Sequence, residues 1–189
     1  MCNLAPINFV DRSMLVINHL VKGFLIVGFF FMGIITQLSG QNKVSSAAFS
    51  DKINSYLDFS IPVVSVKEAH QLKDVVFLDA REIDEYEVSH LPGAKYIGYK
   101  NLNDAVLKQV PKDKRIVVYC SIGYRSEKIG EKLKKKGYTR VYNLYGSIFE
   151  WANEGYALED KSGQPTKRVH VYNKQWSKWM TNKNYEKVY

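Results

Sequence analysis

The sequence predicts an α/β fold in which helices cover both faces of a central, mostly parallel sheet. Strand-like apolar runs alternate with helical patterns between residues 60 and 160, which is the order that produces parallel sheets. The run at residues 116–119 is apolar throughout, as strands are when both faces of a sheet are buried. With 189 residues, of which 46% are hydrophobic and 24% charged, the chain has the size and composition of one globular domain with extensions.

Residues 1–40 are predicted to be a signal peptide or a membrane anchor. An uncharged apolar core covers residues 23–35, and a stretch of small and polar residues follows it to Gly40. The core is shorter than the roughly 20 residues that span a bilayer, which favours a cleaved signal. Leu38 is a mediocre residue for a cleavage site, so the anchor stays open. We therefore expect export, either to the periplasm or to the outer side of the inner membrane with the N-terminus in the bilayer.

The predicted domain begins after a polar stretch. Residues 41–59 are rich in Ser, Asn and Lys and are predicted to be a linker or a short leading helix. A first strand at residues 61–65 contains Pro62, which favours an edge position in the sheet. Ser65 then caps a brief helix at residues 68–72.

The rest of the domain, to residue 160, repeats this alternation of strand and helix. The predicted strands lie at residues 75–78, 94–99, 115–119 and 141–144. Four helices are predicted in this part. The first two lie at residues 82–88 and 101–110, the third follows the loop at residues 120–126 and ends at residue 136, and the fourth lies at residues 148–152. Pro111 closes the second of these helices, and Gly137 caps the third.

Residues 161–189 differ from the domain in being basic and aromatic. Their larger rings, at loose helical spacing, are Tyr172, Trp176, Trp179 and Tyr185. We expect a C-terminal extension that packs on the domain. The functional alternative is that Trp176 and Trp179 dock a protein partner or the membrane interface.

The formal net charge of +8 raises nucleic acid and membrane surfaces as partners. Much of the excess lies in the extension and in the helix after residue 119, where lysines complement the helix dipole. No recognition motif accompanies this charge, so a solvated surface is expected and no nucleic-acid partner. The histidines lack the spacing of a metal site, and no metal or cofactor is implied.

The segment at residues 120–126 holds the leading catalytic candidate. Cys120 lies between a buried strand and a helix, where open α/β sheets bind their ligands. Backbone amides and the helix dipole favour an anion there, and they lower the pKa of a thiol. Arg125 adds a permanent cation that can hold an oxyanion, and Gly123 permits the tight turn. The alternative is a cysteine that merely packs, since free cysteines are often buried.

The only other cysteine, Cys2, precedes the apolar core. If the signal is removed, Cys120 is the single thiol of the mature chain and cannot form an internal disulfide. A solitary thiol in an oxidising compartment suits a reactive residue better than a structural one.

Three motifs resemble those of the single-domain rhodanese-like proteins, in the order and spacing of that family. They are Leu78-Asp79-Ala80-Arg81-Glu82 followed by Glu85-Tyr86, then His90-Leu91-Pro92-Gly93-Ala94, and the loop at residues 120–126. The resemblance covers about residues 60–160. It implies a rhodanese-like fold and a sulfurtransferase that moves a sulfane sulfur through a cysteine persulfide. The donor would be a small sulfur-containing anion, such as a thiosulfate-like compound or a polysulfide, and the acceptor a thiol or cyanide.

The resemblance also implies a role for each matching residue. Cys120 would carry the persulfide and Arg125 would assist anion binding. The residues that bind substrate through the loop and its amides would be Ser121, Ile122, Gly123, Tyr124 and Ser126. Asp79 and Arg81 would act as structural support, and His90, which holds the loop before Pro92, is kept out of the site.

Two other functions stay open. Rhodanese-fold phosphatases place one more residue between Cys and Arg than this chain does, and the tighter loop favours sulfur over phosphate. A non-enzymatic module that binds a partner or carries sulfur is the other alternative, although it has little need of a nucleophile. The loop lacks the basic residues of thiosulfate-preferring enzymes, so the donor is open, and Ile122 and Tyr124 would suit an apolar partner or a bulkier donor.

Overall fold

The computed structural model describes residues 44–189. Its helices are α1 (Ala47–Asn54), α2 (Val66–Gln71), α3 (Ile83–Val88), α4 (Asp104–Lys108), α5 (Tyr124–Lys135), α6 (Ser147–Asn153) and α7 (Lys174–Ser177). Its strands are β1 (Val63–Ser65), β2 (Val75–Asp79), β3 (Lys95–Tyr96), β4 (Arg115–Tyr119), β5 (Arg140–Tyr145), β6 (Leu158–Glu159), β7 (Pro165–Thr166), β8 (Arg168–His170) and β9 (Glu186–Val188).

The main sheet has five strands in the order β1-β5-β4-β2-β3, and each neighbouring pair is parallel. This confirms the predicted α/β fold with a parallel sheet. β1 pairs only with β5 and is an edge strand, as Pro62 indicated. β4 occupies the centre, so the residue that follows it emerges in the middle of the sheet's carboxyl edge.

Successive residues of the sheet point into two separate cores. Val117 belongs to the core that also receives α1, α2 and α6, while Val118 belongs to the core that receives α4 and α5. The continuous apolar run of β4 follows from this burial on both faces.

The segment at residues 41–59 contains a helix rather than only a linker. Ser46 caps the start of α1, and its side chain accepts a hydrogen bond from the backbone N–H of Phe49. Phe49 and Ile53 lie on one face of α1 and are 1% and 0% exposed. Of the two predicted alternatives, a linker or a short leading helix, the structure shows the helix.

Two predicted elements are shorter in the structure. The strand predicted at residues 94–99 is reduced to β3, because Ile97 and Gly98 both donate their backbone N–H to the carbonyl of Asp79 and the chain turns away. The helix predicted at residues 101–110 is reduced to α4, which begins only after Asn103 caps it. By contrast, Ser65 caps α2 as predicted and forms a capping box with Glu68.

The C-terminal extension packs against the domain. β8 and β9 pair in parallel, and Val169, Val171 and Met180 are each 0% exposed. The ring of Trp179 stacks on that of Phe49 with 5.5 Å between centroids. The aromatic and apolar side chains of the extension therefore serve, at least in these contacts, to pack it on the domain. Docking of a protein partner through the extension stays a prediction.

Among residues 44–189, no helix is long and apolar enough to cross a membrane. The apolar core at residues 23–35 lies outside the described residues. The signal peptide or anchor, membrane association and export therefore stay predictions.

Candidate active site

Cys120 lies directly after the central strand β4, at the carboxyl edge of the sheet. Gly123 caps the start of α5 with φ of 127°, a backbone conformation that side chains disfavour. The chain thus turns within three residues from the strand into the helix. This turn brings backbone amides of the loop back over the Cys120 thiol.

The Cys120 sulfur accepts hydrogen bonds from its own loop. The Gly123 N–H donates to Sγ at 3.2 Å, and the Ser126 hydroxyl lies 3.6 Å from Sγ. Burial raises the pKa of the thiol, but the charge of Arg125 and the hydrogen bonds from Ser126 and Gly123 outweigh it, so the pKa is lowered from its ordinary value. The loop therefore favours the thiolate, the nucleophilic form of cysteine.

Asn143 of β5 holds the loop from below. Its Nδ2 donates to the Gly123 carbonyl at 3.0 Å, and its Oδ1 lies 2.7 Å from the Ser126 hydroxyl. The Gly123 carbonyl lies 3.0 Å from the same hydroxyl. A serine hydroxyl carries one proton, so Ser126 donates to only one of Asn143, the Gly123 carbonyl and the Cys120 sulfur at a time. The shortest contact is with Asn143, and a rotation of the hydroxyl would supply a further donor when negative charge grows on sulfur.

The start of α6 fixes the backbone of the loop. The Ser147 hydroxyl accepts the Cys120 N–H at 3.1 Å, and the Ile148 N–H donates to the Cys120 carbonyl at 3.2 Å. Gly146, with φ of 79°, makes this turn; a Cβ there would lie 2.7 Å from the Glu150 Cβ. A glycine is required at this close approach, and it lets α6 dock on the cysteine.

Arg125 pairs with Glu85 of α3 through two hydrogen bonds. The distances are 2.6 Å from Nη1 to Oε2 and 2.8 Å from Nη2 to Oε1, and Nη2 also donates to Ser121 Oγ at 2.9 Å. Burial raises the pKa of Glu85, but hydrogen bonds from Arg125 and its charge lower it overall. The carboxylate Glu127 does not compete for Arg125, because it accepts the backbone N–H groups of Asp58 and Ser60.

Asp79 and Arg81 form an ion pair beneath the site, and both side chains are 0% exposed. Arg81 Nη2 donates to Asp79 Oδ2 at 2.6 Å and to the Ser89 carbonyl at 2.5 Å. The pair therefore ties the end of β2 to the segment after α3, and neither residue lines the cavity above Cys120. This placement agrees with a supporting role. His90 also stays out of the cavity, and its ring stacks on Tyr86.

A cavity of about 410 Å³ opens above the Cys120 sulfur. Five of the predicted site residues line it, namely Cys120, Ser121, Ile122, Tyr124 and Arg125. Gly123 and Ser126 lie behind them and contact Sγ. The structure therefore brings all seven loop residues of the predicted site together.

Sequence reasoning missed several residues that build the site. Glu85, Asn143 and Ser147 are buried polar residues that hold the loop, and Tyr172 and Trp176 reach the cavity from the extension. Asn143 carried a usable signal, because an asparagine within an apolar strand needs a buried hydrogen-bond partner. Of the described residues, no group of three or more His, Cys, Asp or Glu could hold a metal ion.

Arg125→Gln is expected to move ionisation of Cys120 to higher pH, because it removes the cation that stabilises the thiolate. Since the wild-type thiol has a lowered pKa, its alkylation by iodoacetamide should rise with pH through a midpoint below that of the unfolded chain. The rate should be followed by intact mass across a pH series. In Arg125→Gln alone, the buried Glu85 carboxylate loses its partner. The double variant Arg125→Gln/Glu85→Gln avoids this, and its pH midpoint of alkylation should also lie above that of the wild type.

Lys100→Gln is the matched control for this experiment. Lys100 also lines the cavity, but its side chain is 78% exposed and faces Glu82, so its loss should leave the midpoint unchanged. An unchanged midpoint in both Arg125 variants would show that Arg125 does not tune the thiol.

Comparison with known proteins identifies one family. The profile described as the rhodanese-like domain matches residues 63–154. This range contains the five strands of the main sheet and the loop after β4. It excludes α1 and the C-terminal extension.

Curated relatives match less than half of the chain. The tRNA uridine(34) hydroxylase of Enterobacter sp. (strain 638) is 37% identical over 84 residues, which cover 42% of this chain and 24% of that protein. The protein of the same name from Escherichia coli O139:H28 (strain E24377A / ETEC) is 36% identical over 86 residues, covering 43% and 25%. The chain thus spans about a quarter of the length of these relatives.

A solved structure shows a similar fold. The thiosulfate sulfurtransferase from Pseudomonas aeruginosa is 26% identical with a TM-score of 0.51. The match covers 73% of this chain and 26% of that chain.

Proposed function

Because residues 63–154 form a rhodanese-like domain, we propose that this protein is a sulfurtransferase that carries a sulfane sulfur on Cys120 as a persulfide. One observation carries the proposal: the Cys120 sulfur lies at the floor of a cavity and accepts the Gly123 N–H at 3.2 Å. A thiol held in this way has a lowered pKa and is available as a thiolate.

The reaction has two steps on the same sulfur atom. In the first, the Cys120 thiolate attacks the outer sulfur of the donor, a new S–S bond forms, and the donor's S–S bond breaks with its electron pair leaving on the donor remainder. With thiosulfate the remainder is sulfite. In the second, a thiol or cyanide attacks the outer sulfur of the persulfide, and the Cys120 thiolate leaves. No net oxidant is consumed when the acceptor is cyanide or a thiol that becomes a persulfide.

The loop supports both steps by stabilising negative charge. The Gly123 N–H and the Ser126 hydroxyl stabilise the thiolate before attack and after sulfur leaves. Arg125 adds positive charge near the sulfur, while its pairing with Glu85 fixes its position. Phosphate transfer is less well supported, because only four residues separate Cys120 and Arg125 in the loop.

Transfer of tRNA modification chemistry from the relatives is not part of the proposal. The activity in their name belongs to whole proteins, of which this chain covers 24% and 25%. A sulfur carrier without turnover is the remaining alternative. It would use the same Cys120 persulfide and differ in releasing sulfur only to a particular protein partner.

Steady-state kinetics should separate an enzyme from a carrier. With thiosulfate or a polysulfide as donor and cyanide or a small thiol as acceptor, a persulfide mechanism predicts parallel lines in double-reciprocal plots, because the donor remainder departs before the acceptor binds. Intersecting lines would indicate that donor and acceptor meet on the protein and would contradict the two-step mechanism. Loading without turnover by any small acceptor would favour the carrier.

A further inference from the structure

Segments outside the rhodanese-like domain build much of the wall above Cys120. We use the name aromatic wall for the rings of Tyr56, Tyr99, Tyr124, Tyr172 and Trp176, all of which line the cavity. Tyr56 precedes the matched range of residues 63–154, and Tyr172 and Trp176 follow it. Three of the five rings therefore come from parts of this chain that the family domain does not include.

Contacts between the rings hold this wall together. Tyr56 meets Trp176 edge to face, with 5.3 Å between centroids, and meets Tyr124 in the same manner at 6.3 Å. Tyr172 lies over the Arg125 guanidinium, with 5.6 Å from Cζ to the ring centroid. Rings of the extension thus stand next to both the loop and its cation.

The cations of the cavity are already paired with carboxylates. Arg125 makes two hydrogen bonds to Glu85, and Lys100 lies 4.0 Å from Glu82. A small, strongly hydrated dianion such as thiosulfate therefore finds paired cations and mostly apolar rings instead of an open basic pocket. Its volume is also small against a cavity of about 410 Å³, which falls in the range of about 300–1,000 Å³ typical of organic ligands.

We propose that the aromatic wall selects a donor whose sulfane sulfur is attached to an aromatic organic group. The organic ring would lie against Trp176 and Tyr172 while the outer sulfur reaches Cys120. This inference rests on the proposed function and names the substrate class of the same site. For an arylthiosulfonate the step balances: the Cys120 thiolate bonds to the outer sulfur, the S–S bond of the donor breaks, and arylsulfinate leaves with the electron pair.

Two probes of equal charge isolate the contribution of the ring. Benzenethiosulfonate and methanethiosulfonate carry the same reacting group and differ in the organic substituent. The rate of Cys120 persulfide formation should be measured for each in single turnover by quenched intact mass. The aryl-to-alkyl ratio is then compared between wild type and variants, because this comparison cancels the intrinsic reactivity of the two donors.

Trp176→Ala is expected to lower the aryl-to-alkyl ratio about tenfold, which corresponds to about 1.4 kcal/mol in the barrier. Trp176→Phe should retain most of the ratio because it keeps an aromatic face. Tyr189→Ala is the matched control, since this ring also belongs to the extension but does not line the cavity and is 60% exposed. Tyr172→Ala, at a ring that is 55% exposed, is the second test if Trp176→Ala folds poorly.

The outcomes separate this inference from the proposed function. A ratio that is unchanged in both Trp176→Ala and Tyr172→Ala, while both donors still load Cys120, would overturn the aromatic selection and leave the sulfurtransferase intact. If none of the four donors, the two thiosulfonates, thiosulfate and polysulfide, adds sulfur to Cys120 of the wild type, the proposed function itself is contradicted. An aryl-to-alkyl ratio that falls as much in Tyr189→Ala as in Trp176→Ala would also contradict selection by the aromatic wall.

Discussion

Replacing Cys120 with serine is expected to lower sulfur transfer by at least about a thousandfold. A serine hydroxyl stays protonated under conditions in which the loop makes the Cys120 thiol a thiolate, and it cannot form a persulfide. The substitution exchanges sulfur for oxygen in a site that is 1% exposed, so the fold should persist. Initial rates with a saturating donor and acceptor measure the loss.

Cys2→Ser provides the matched control because it removes the other thiol of the sequence. Its transfer rate should equal that of the wild type. Thermal denaturation of Cys120→Ser should show a folded protein. A folded Cys120→Ser variant that retains a tenth or more of the wild-type rate would exclude Cys120 as the nucleophile.

Asp79→Ala is expected to destabilise the fold by about 3–5 kcal/mol, because it leaves the Arg81 guanidinium buried without its counter-ion. Both side chains are 0% exposed, and Arg81 bonds to Asp79 through Nε and Nη2. A loss of this size is a large part of the total stability of a domain, about 5–15 kcal/mol. Chemical denaturation followed by circular dichroism gives the free energy of unfolding.

Asp58→Ala tests whether this effect is specific to a buried pair. Asp58 pairs with Lys128 at 2.7 Å, but its side chain is 69% exposed, so water replaces much of the interaction. Its denaturation midpoint should lie close to that of the wild type. If Asp79→Ala is as stable as Asp58→Ala, the buried Arg81 guanidinium does not need the Asp79 carboxylate, and the predicted destabilisation is wrong.

The sheet and the loop could be predicted from sequence because their signals are local. The apolar run at residues 116–119 indicated burial on both faces, and Pro62 indicated an edge strand. β4 occupies the centre of the sheet, and β1 lies at its edge. Cys120, Gly123 and Arg125 lie within six residues of each other in the sequence, so their proximity needed no knowledge of tertiary structure.

The supporting residues could not be predicted because their contacts are distant in sequence. Glu85 lies 40 residues from Arg125, and no periodicity in α3 indicates which cation its carboxylate meets. Ser147 reaches the Cys120 N–H across 27 residues through a turn with φ of 50° at a non-glycine residue. The sequence marks the extension as aromatic, but the spacing of its rings does not show that Trp176 faces the cavity rather than solvent.

The most direct test of the account is the intact mass of the protein after incubation with thiosulfate or a polysulfide. We expect a gain of one sulfur atom, its removal by a reductant, and its location on Cys120 by peptide mapping. Cys120→Ser should gain nothing under the same conditions. The same reducible adduct on Cys120→Ser, or a wild-type protein that gains no sulfur from thiosulfate, from a polysulfide or from either thiosulfonate, would contradict the central claim that Cys120 carries the transferred sulfur.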